Sequence, residues 1–377
     1  MRIVKRNILL NPGPATTTDS VKYAQVVPDI CPRETEFGDL MEYVSTELTR
    51  LVAETEHYTT VLLGGSGTAA VESILSSVVD DEVVVIINNG AYGKRMCEIA
   101  EAYDLNFLEF NSPADDGIDL IALEKLIQNS SRKISHLAVV HHETTTGLLN
   151  DIESIGAICR KHRIDMIVDA MSSFAAIPIQ MDKMTISFMA ASSNKNLQGI
   201  AGVAFVIANK SKLESIQHKK PRNYYLNLYA QYKFFSKTRQ MRFTPPVQTF
   251  YALKQAINEL KQEGIKGRYE RYTRSWETLI AGITRLGLNY IVPEKHHSKL
   301  LTSILEPDCN GYDFNEMHDY FYSQGFTIYP GKLEESNTFR IATIGDITYK
   351  DIQEFLKLMV NYLRAIGYPF EKVNDHQ

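Results

Sequence analysis

The sequence predicts an α/β fold, with a large domain on a mainly parallel central sheet and a smaller C-terminal α+β domain after it. Three observations predict this. Between residues 61 and 207 short apolar, often β-branched runs recur: VVVII (83–87), HLAVV (136–140), DMIVD (165–169) and VAFVI (203–207). Helically patterned stretches lie between them, at 68–79, 94–102, 120–128 and 152–162. After Arg222 the character of the chain changes.

Each element follows from its pattern. Strand-sized runs that are apolar throughout, without alternation, suit strands buried on both faces, and intervening amphipathic helices suit parallel crossovers. Beyond Arg222 comes NYYLNLYAQYKFF (223–235), dense in aromatics, then RFTPPVQ (242–248), whose proline pair must break any helix. The stretches 249–263 and 268–286 read as long helices. From about 290 onward short strands mix with helices at 315–324 and 349–366, as in a small α+β unit. The expected division is an N-terminal segment 1–15, a large domain 16–255 and a small domain 256–377.

Composition narrows the function. The 377 residues are 44% hydrophobic and 23% charged with net charge -5, which fits a globular chain and gives no basic stripe for nucleic acid or an anionic membrane. Four dispersed cysteines (Cys31, Cys97, Cys159, Cys309) form no C-x-x-C pair, so a disulfide framework or thiolate zinc site is not expected and a cytoplasmic location is. The start, MRIVKRNILLNPGP, has too short an apolar stretch for a secretion signal, and no run is long enough to span a membrane. No metal site is expected: the adjacent pair His141 and His142 cannot share a helix face, and His296 and His297 read as loop residues.

Ligands bind open parallel sheets at the carboxyl ends of the strands, and five segments there have suggestive residues. LLGGSGTAA (62–70) is a glycine turn entering a helix, with Ser66 and Thr68 at the positive helix end; alone, it equally describes an ordinary capped turn. NNGAYGKR (88–95) frames Tyr92 with two glycines; it could cover a planar ligand or simply pack. HHETTTG (141–147) sets hydroxyls and a carboxylate at a strand end, and by itself reads as a polar loop. Asp169 ends an otherwise apolar strand, where burial demands a cap or a cationic partner such as a protonated ring nitrogen. In SFMAASSNKN (187–196), Lys195 follows an apolar strand and small residues; desolvated beside positive charge it becomes a nucleophile, otherwise it is a surface lysine.

The order of the five segments, with 26 residues from Asp169 to Lys195, is the layout of fold-type I pyridoxal-phosphate enzymes. The chain resembles the class V aminotransferases nearly end to end. The likeness lies in NILLNPGPATTT, PRETEF (32–37), GGSGTAAVE (64–72), NNGAYGKR, HHETTTGLLN (141–150), SSNKNLQGIAGVAFVI (192–207), YYLNLYAQYKFF (224–235), RFTPPVQ and FRIATIGDI (339–347). Within that family ETTTG, SNKNLQG and YYLNLY make it similar to the branch acting on 2-aminoethylphosphonate and pyruvate.

The resemblance implies pyridoxal 5'-phosphate as cofactor, held as a Schiff base on Lys195. It implies that Ser66, Gly67 and Thr68 hold the phosphate, with Asn194 beside them and Thr244 reaching in from a second subunit of a homodimer with shared sites. Tyr92 would stack on the ring, Met171 pack beneath it, Thr144 bond on the phenolic-oxygen side and Asp169 pair with the ring nitrogen. Arg340 would bind the anionic end of the substrate, with Arg33 as second candidate. Met241 departs from relatives that carry a phosphate-contacting tyrosine there, which shifts weight to Thr244 and Ser66. The expected reaction turns 2-aminoethylphosphonate and pyruvate into phosphonoacetaldehyde and L-alanine. The alternatives are an alanine– or serine–glyoxylate aminotransferase and a non-catalytic cofactor-binding protein. A cysteine desulfurase is disfavoured, since Tyr92 stands where those enzymes stack a histidine.

Overall fold

The computed structural model describes residues 6–333 and 336–370. Seven strands form the central sheet, in the spatial order Tyr58–Gly64, Val203–Asn209, Ile186–Ser192, Asp165–Asp169, Ile134–Val140, Val83–Asn88, Phe107–Asn111. All pairings are parallel except those of Val203–Asn209, which runs antiparallel to both neighbours. A fully buried strand looks the same in either direction, so its apolar run did not announce the reversal.

The unbroken apolar runs have a direct cause. Successive side chains point to opposite faces, and both faces are covered. Val85 and Ile87 enter a core roofed by the helices Thr35–Arg50, Leu120–Asn129, Ile152–His162 and Val247–Glu263. Val84 and Ile86 enter the opposite core, under the helices Gly67–Val78, Ala91–Ala102 and Leu228–Thr238. Each such fully buried side chain contributes about 1.5–3 kcal/mol. Helix starts are fixed locally: Asp119, Asp151 and Asn227 each cap a first turn through a side-chain oxygen. The proline pair ends one segment and launches the next, with Pro246 immediately before Val247–Glu263.

The chain leaves the sheet's cores at Gly264, whose φ of 75° makes the corner between two long helices. Against the expected division at 255/256, the helix before it keeps Ile257 and Leu260 in the sheet's core. The helix after it, Ile265–Arg285, sets Leu279 and Ile283 in a separate core with Phe355 and Met359 of Tyr349–Ala365. A three-stranded antiparallel sheet completes this unit, ordered Leu301–Leu305, Thr338–Ala342, Tyr329–Pro330. The N-terminal segment belongs here too: Ile8–Leu9 pairs with Phe326–Thr327, and Ile8 and Leu10 join the C-terminal core. No helix among the described residues is long and apolar enough to cross a membrane.

Candidate active site

Six of the seven strands share one direction, so the loops after Gly64, Asn88, Val140, Asp169 and Ser192 open on one edge of the sheet. Parallel register aligns the ends, placing Asp169 beside Val140 and Ala190. There the loops enclose a cavity of about 500 Å³. Ser66, Gly67, Thr68, Tyr92, Thr144, Asp169, Met171, Asn194 and Lys195 all lie in its wall. The starting end of the reversed strand adds Ala201 and Gly202.

Lys195 is held at this wall by contacts remote in sequence. Its Nζ donates to the Pro12 carbonyl at 2.8 Å, and a Cβ on Gly13 would lie 2.3 Å from that Nζ. The N-terminal segment thus packs on the lysine. Burial holds the Lys195 pKa below its ordinary value, with the charges of Arg340 and Lys332 adding to the shift against Tyr92 and Asp169. Asp169 is buried, and one of its oxygens accepts the Met171 N–H at 2.9 Å. Burial pushes its carboxyl up to about 6. Among the described residues this carboxylate accepts one hydrogen bond, and the charges of Lys195 and Arg95 bear on it.

The start of the helix Gly67–Val78 is the candidate anion cradle. Ser66 occupies the cap position but makes no side-chain capping bond, so the first-turn N–H groups have no side-chain partner from Ser66. A Cβ on Gly67 would lie 2.5 Å from Met171 Sδ, so Met171 packs directly on this turn and would have to move aside for any larger residue.

Tyr92 is set by Glu143. This fully buried carboxylate accepts the N–H groups of Tyr92 and Gly93 at 3.2 and 3.3 Å, and the Thr145 N–H and hydroxyl at 3.0 and 2.7 Å. It thereby fastens the ETTTG loop to the start of the helix Ala91–Ala102. Asn150 adds a second tie, accepting from Asn89 at 2.8 Å and donating to the Val140 carbonyl at 2.7 Å. Burial would raise the Tyr92 phenol, but the Thr144 hydrogen bond and the charges of Lys195, Lys332 and Arg340 lower it overall. Arg340 lies just behind the wall, buried, donating from Nε to Pro330 O at 2.9 Å and from Nη1 to Thr144 O at 3.0 Å.

Some expected residues fall elsewhere. Arg33 is exposed and donates to the carbonyls of Met241 and Arg242 at 2.6 and 3.2 Å, so within one chain it braces a loop and does not line the cavity. Its partners are neither Glu34 nor Glu36. Thr244 is exposed and also outside the wall. His297, read as a loop residue, is buried against the Trp276 ring at 4.9 Å. His142 lines the cavity; its Nδ1 donates to Ser172 O at 3.0 Å, so Nε2 accepts from the Ser298 hydroxyl at 2.8 Å. Burial pushes it down to about 4, which keeps it neutral.

Sequence reasoning gave no role to Pro12, Gly13 or Arg95, and noted the Glu143 carboxylate without its clasp on Tyr92. Glu143 left a signal, as a carboxylate directly at a strand end; the N-terminal contacts left none, because a partner 183 residues away has no local pattern.

A buried lysine amine with a lowered pKa, a buried carboxylate across one cavity and a helix start without a side-chain cap, in a doubly covered α/β sheet, define a fold-type I pyridoxal-phosphate enzyme. The donors present fit that group, since the first-turn N–H groups at Gly67 suit an anion and the buried Asp169 carboxyl suits a protonated ring nitrogen. The family model for class-V aminotransferases matches residues 19–331. The chain is 38% identical over 353 residues to 2-aminoethylphosphonate–pyruvate transaminases of Salmonella paratyphi B and Salmonella schwarzengrund, covering 93% of this chain and 95% of each relative. Among solved structures, a ureidoglycine–glyoxylate aminotransferase from Bacillus subtilis superposes with a TM-score of 0.89 at 22% identity, covering 99% of this chain and 96% of that one. An alanine–glyoxylate aminotransferase from Nostoc sp. gives 0.88 at 25%, covering 96% and 97%. The chain belongs to the class-V aminotransferase family, and its cofactor is pyridoxal phosphate.

Proposed function

We propose that the chain moves the amino group of 2-aminoethylphosphonate to pyruvate, giving phosphonoacetaldehyde and L-alanine, in a reaction that runs either way. The observation that carries this reading is Lys195 and Asp169 on one cavity with Arg340 at the lysine's side, in a chain 38% identical to transaminases of that name. Bound pyridoxal phosphate supplies the electron sink. Ser66, Gly67, Thr68 and Asn194 hold its phosphate, Tyr92 and Met171 pack against its ring, Thr144 bonds on its phenolic side, and Asp169 keeps its nitrogen protonated. Lys195, with its lowered pKa, takes the proton from the substrate carbon that bears nitrogen and delivers it again. The Arg340 fork receives the carboxylate of pyruvate or alanine and the phosphonate of the other substrate.

Two copies share their sites in this reading. The exposed Tyr224 and Tyr225 flank Phe243, which stacks on Tyr225 at 5.1 Å, and the Tyr225 hydroxyl donates to the Gly64 carbonyl at 3.1 Å. This apolar patch therefore adjoins the phosphate cradle. Thr244, next to Phe243, serves the cradle of a partner, and Arg33 acts there by bracing the loop that precedes it. The cytoplasm suits the four unpaired cysteines.

The test is a coupled assay for alanine formed from pyruvate and 2-aminoethylphosphonate, run beside alanine and serine with glyoxylate. Alanine formed from the phosphonate donor is expected; turnover confined to the glyoxylate pairs would reject the reading. Lys195→Ala is expected to abolish turnover in every arm.

A further inference from the structure

Tyr92 stands among four cations. Lys195 and Arg340 have been described. The Arg95 guanidinium lies 4.8 Å from the Tyr92 ring centre, and the Lys332 ammonium 5.0 Å from the same centre. These two act on different groups: the charge of Arg95 bears on Asp169, that of Lys332 on the Lys195 amine. Arg95 lines the cavity, whereas Lys332 stands beyond its wall on the Tyr92 ring, with its charge bearing on the Lys195 amine.

A hairpin fixes where Lys332 stands. Tyr329 and Pro330 pair with Arg340 and Phe339, and the Gly331 N–H closes on the Thr338 carbonyl at 2.6 Å. A Cβ at Gly331 would meet Thr338 Oγ1 at 2.0 Å, so the limbs are in full contact there. Lys332 leaves the hairpin one residue further on, on the limb opposite Arg340. Among the described residues it has no hydrogen bond or ion pair, whereas Arg340 already spends two N–H groups on carbonyls.

The two substrates differ in what they ask of these cations. A carboxylate sits directly on the reacting carbon, has one charge and offers two oxygens, which a single guanidinium fork satisfies. A phosphonate sits one carbon further out and offers a third oxygen and a second charge. We propose that Lys332 is the phosphonate-specificity residue: Arg340 takes two oxygens of either anion, and Lys332 takes the remaining phosphonate oxygen from the opposite hairpin limb. This rests on the substrate reading above.

The test uses holoenzyme and two ligands without an amine, so binding is read without turnover. Wild type, Lys332→Met and Lys332→Arg are titrated calorimetrically with ethylphosphonate and with propionate. Lys332→Met is expected to raise the ratio of the ethylphosphonate to the propionate dissociation constant by about tenfold or more, the loss of one charge-assisted hydrogen bond, and Lys332→Arg to restore most of it. An unchanged ratio in Lys332→Met would overturn the proposal. Wild type that makes no alanine from 2-aminoethylphosphonate would overturn the substrate reading and this inference with it. An active wild type with an unchanged ratio in the variant sinks this inference alone.

Discussion

Asp169 shows how one residue trades stability for chemistry. Its carboxyl titrates near 6 in the fold against an ordinary 3.8, because burial disfavours the charge. A raised carboxyl pKa destabilises the fold wherever the group is ionised. The penalty is absent below about 3.8, grows as pH rises toward 6 and is complete above it, amounting to roughly 3 kcal/mol. In the proposed site, a protonated ring nitrogen beside Asp169 would offset the penalty. Asp169→Asn is therefore expected to stabilise the cofactor-free protein by about 1–3 kcal/mol at pH 8 in urea melts, with the gain fading toward pH 4, while turnover falls by orders of magnitude. An asparagine variant less stable than wild type at pH 8 would contradict burial as the dominant cause. This residue was legible in the sequence, because a lone carboxylate ending an apolar strand stands out against its own segment.

At the scale of elements, the fit of the helix Ala91–Ala102 on the strand before it decides where Tyr92 sits. A Cβ at Gly93 would lie 2.8 Å from the Ile87 carbonyl oxygen and 2.9 Å from Asn88 Cα, both backbone atoms with nowhere to retreat. Gly93→Ala must then push the helix start outward and pull Tyr92 from Glu143. The expected result is kcat/KM down by at least about tenfold with stability down by about 1–3 kcal/mol, checked by steady-state kinetics and thermal melts. Unchanged kinetics would mean that Tyr92 tolerates displacement. The glycines around Tyr92 were visible in the sequence as a frame, and the five site loops were visible because parallel strands end on one side. The direction of Val203–Asn209, the Glu143 clasp and the placement of Arg33 were not. Each depends on which distant backbone lies alongside, and a strand, a carboxylate or an arginine reads identically with any partner.

For the whole molecule, the proposed dimer would be built on the exposed aromatic patch around Tyr224 and Tyr225. Tyr224 is 76% exposed and Tyr225 45%, an aromatic surface of the kind interfaces cover, and in the proposed dimer Thr244 beside it would serve the partner's phosphate site. Sedimentation at low micromolar concentration is expected to give a dimer, and Thr244→Ala to weaken cofactor retention in reconstitution titrations. A fully active monomer would refute shared sites. The change of composition after Arg222 does not mark the passage from the sheet's cores to the C-terminal core, because Ile257 and Leu260 still pack in the former. The corner at Gly264 was blurred, because both flanking helices have the same amphipathic period.

The reversed strand has one more effect. Because Val203–Asn209 turns straight back beside Ile186–Ser192, the segment bearing Lys195 is a short bridge riveted at each end to neighbouring strands. Inside it the Gly199 N–H bonds the Ser193 carbonyl at 2.8 Å, and the Ala15 N–H bonds the Asn194 carbonyl at 2.9 Å. The amine is an arm on a fixed post. Its reach is set by rotation about the four carbon–carbon bonds of its own stem, and the Pro12 carbonyl is what it must let go of to move.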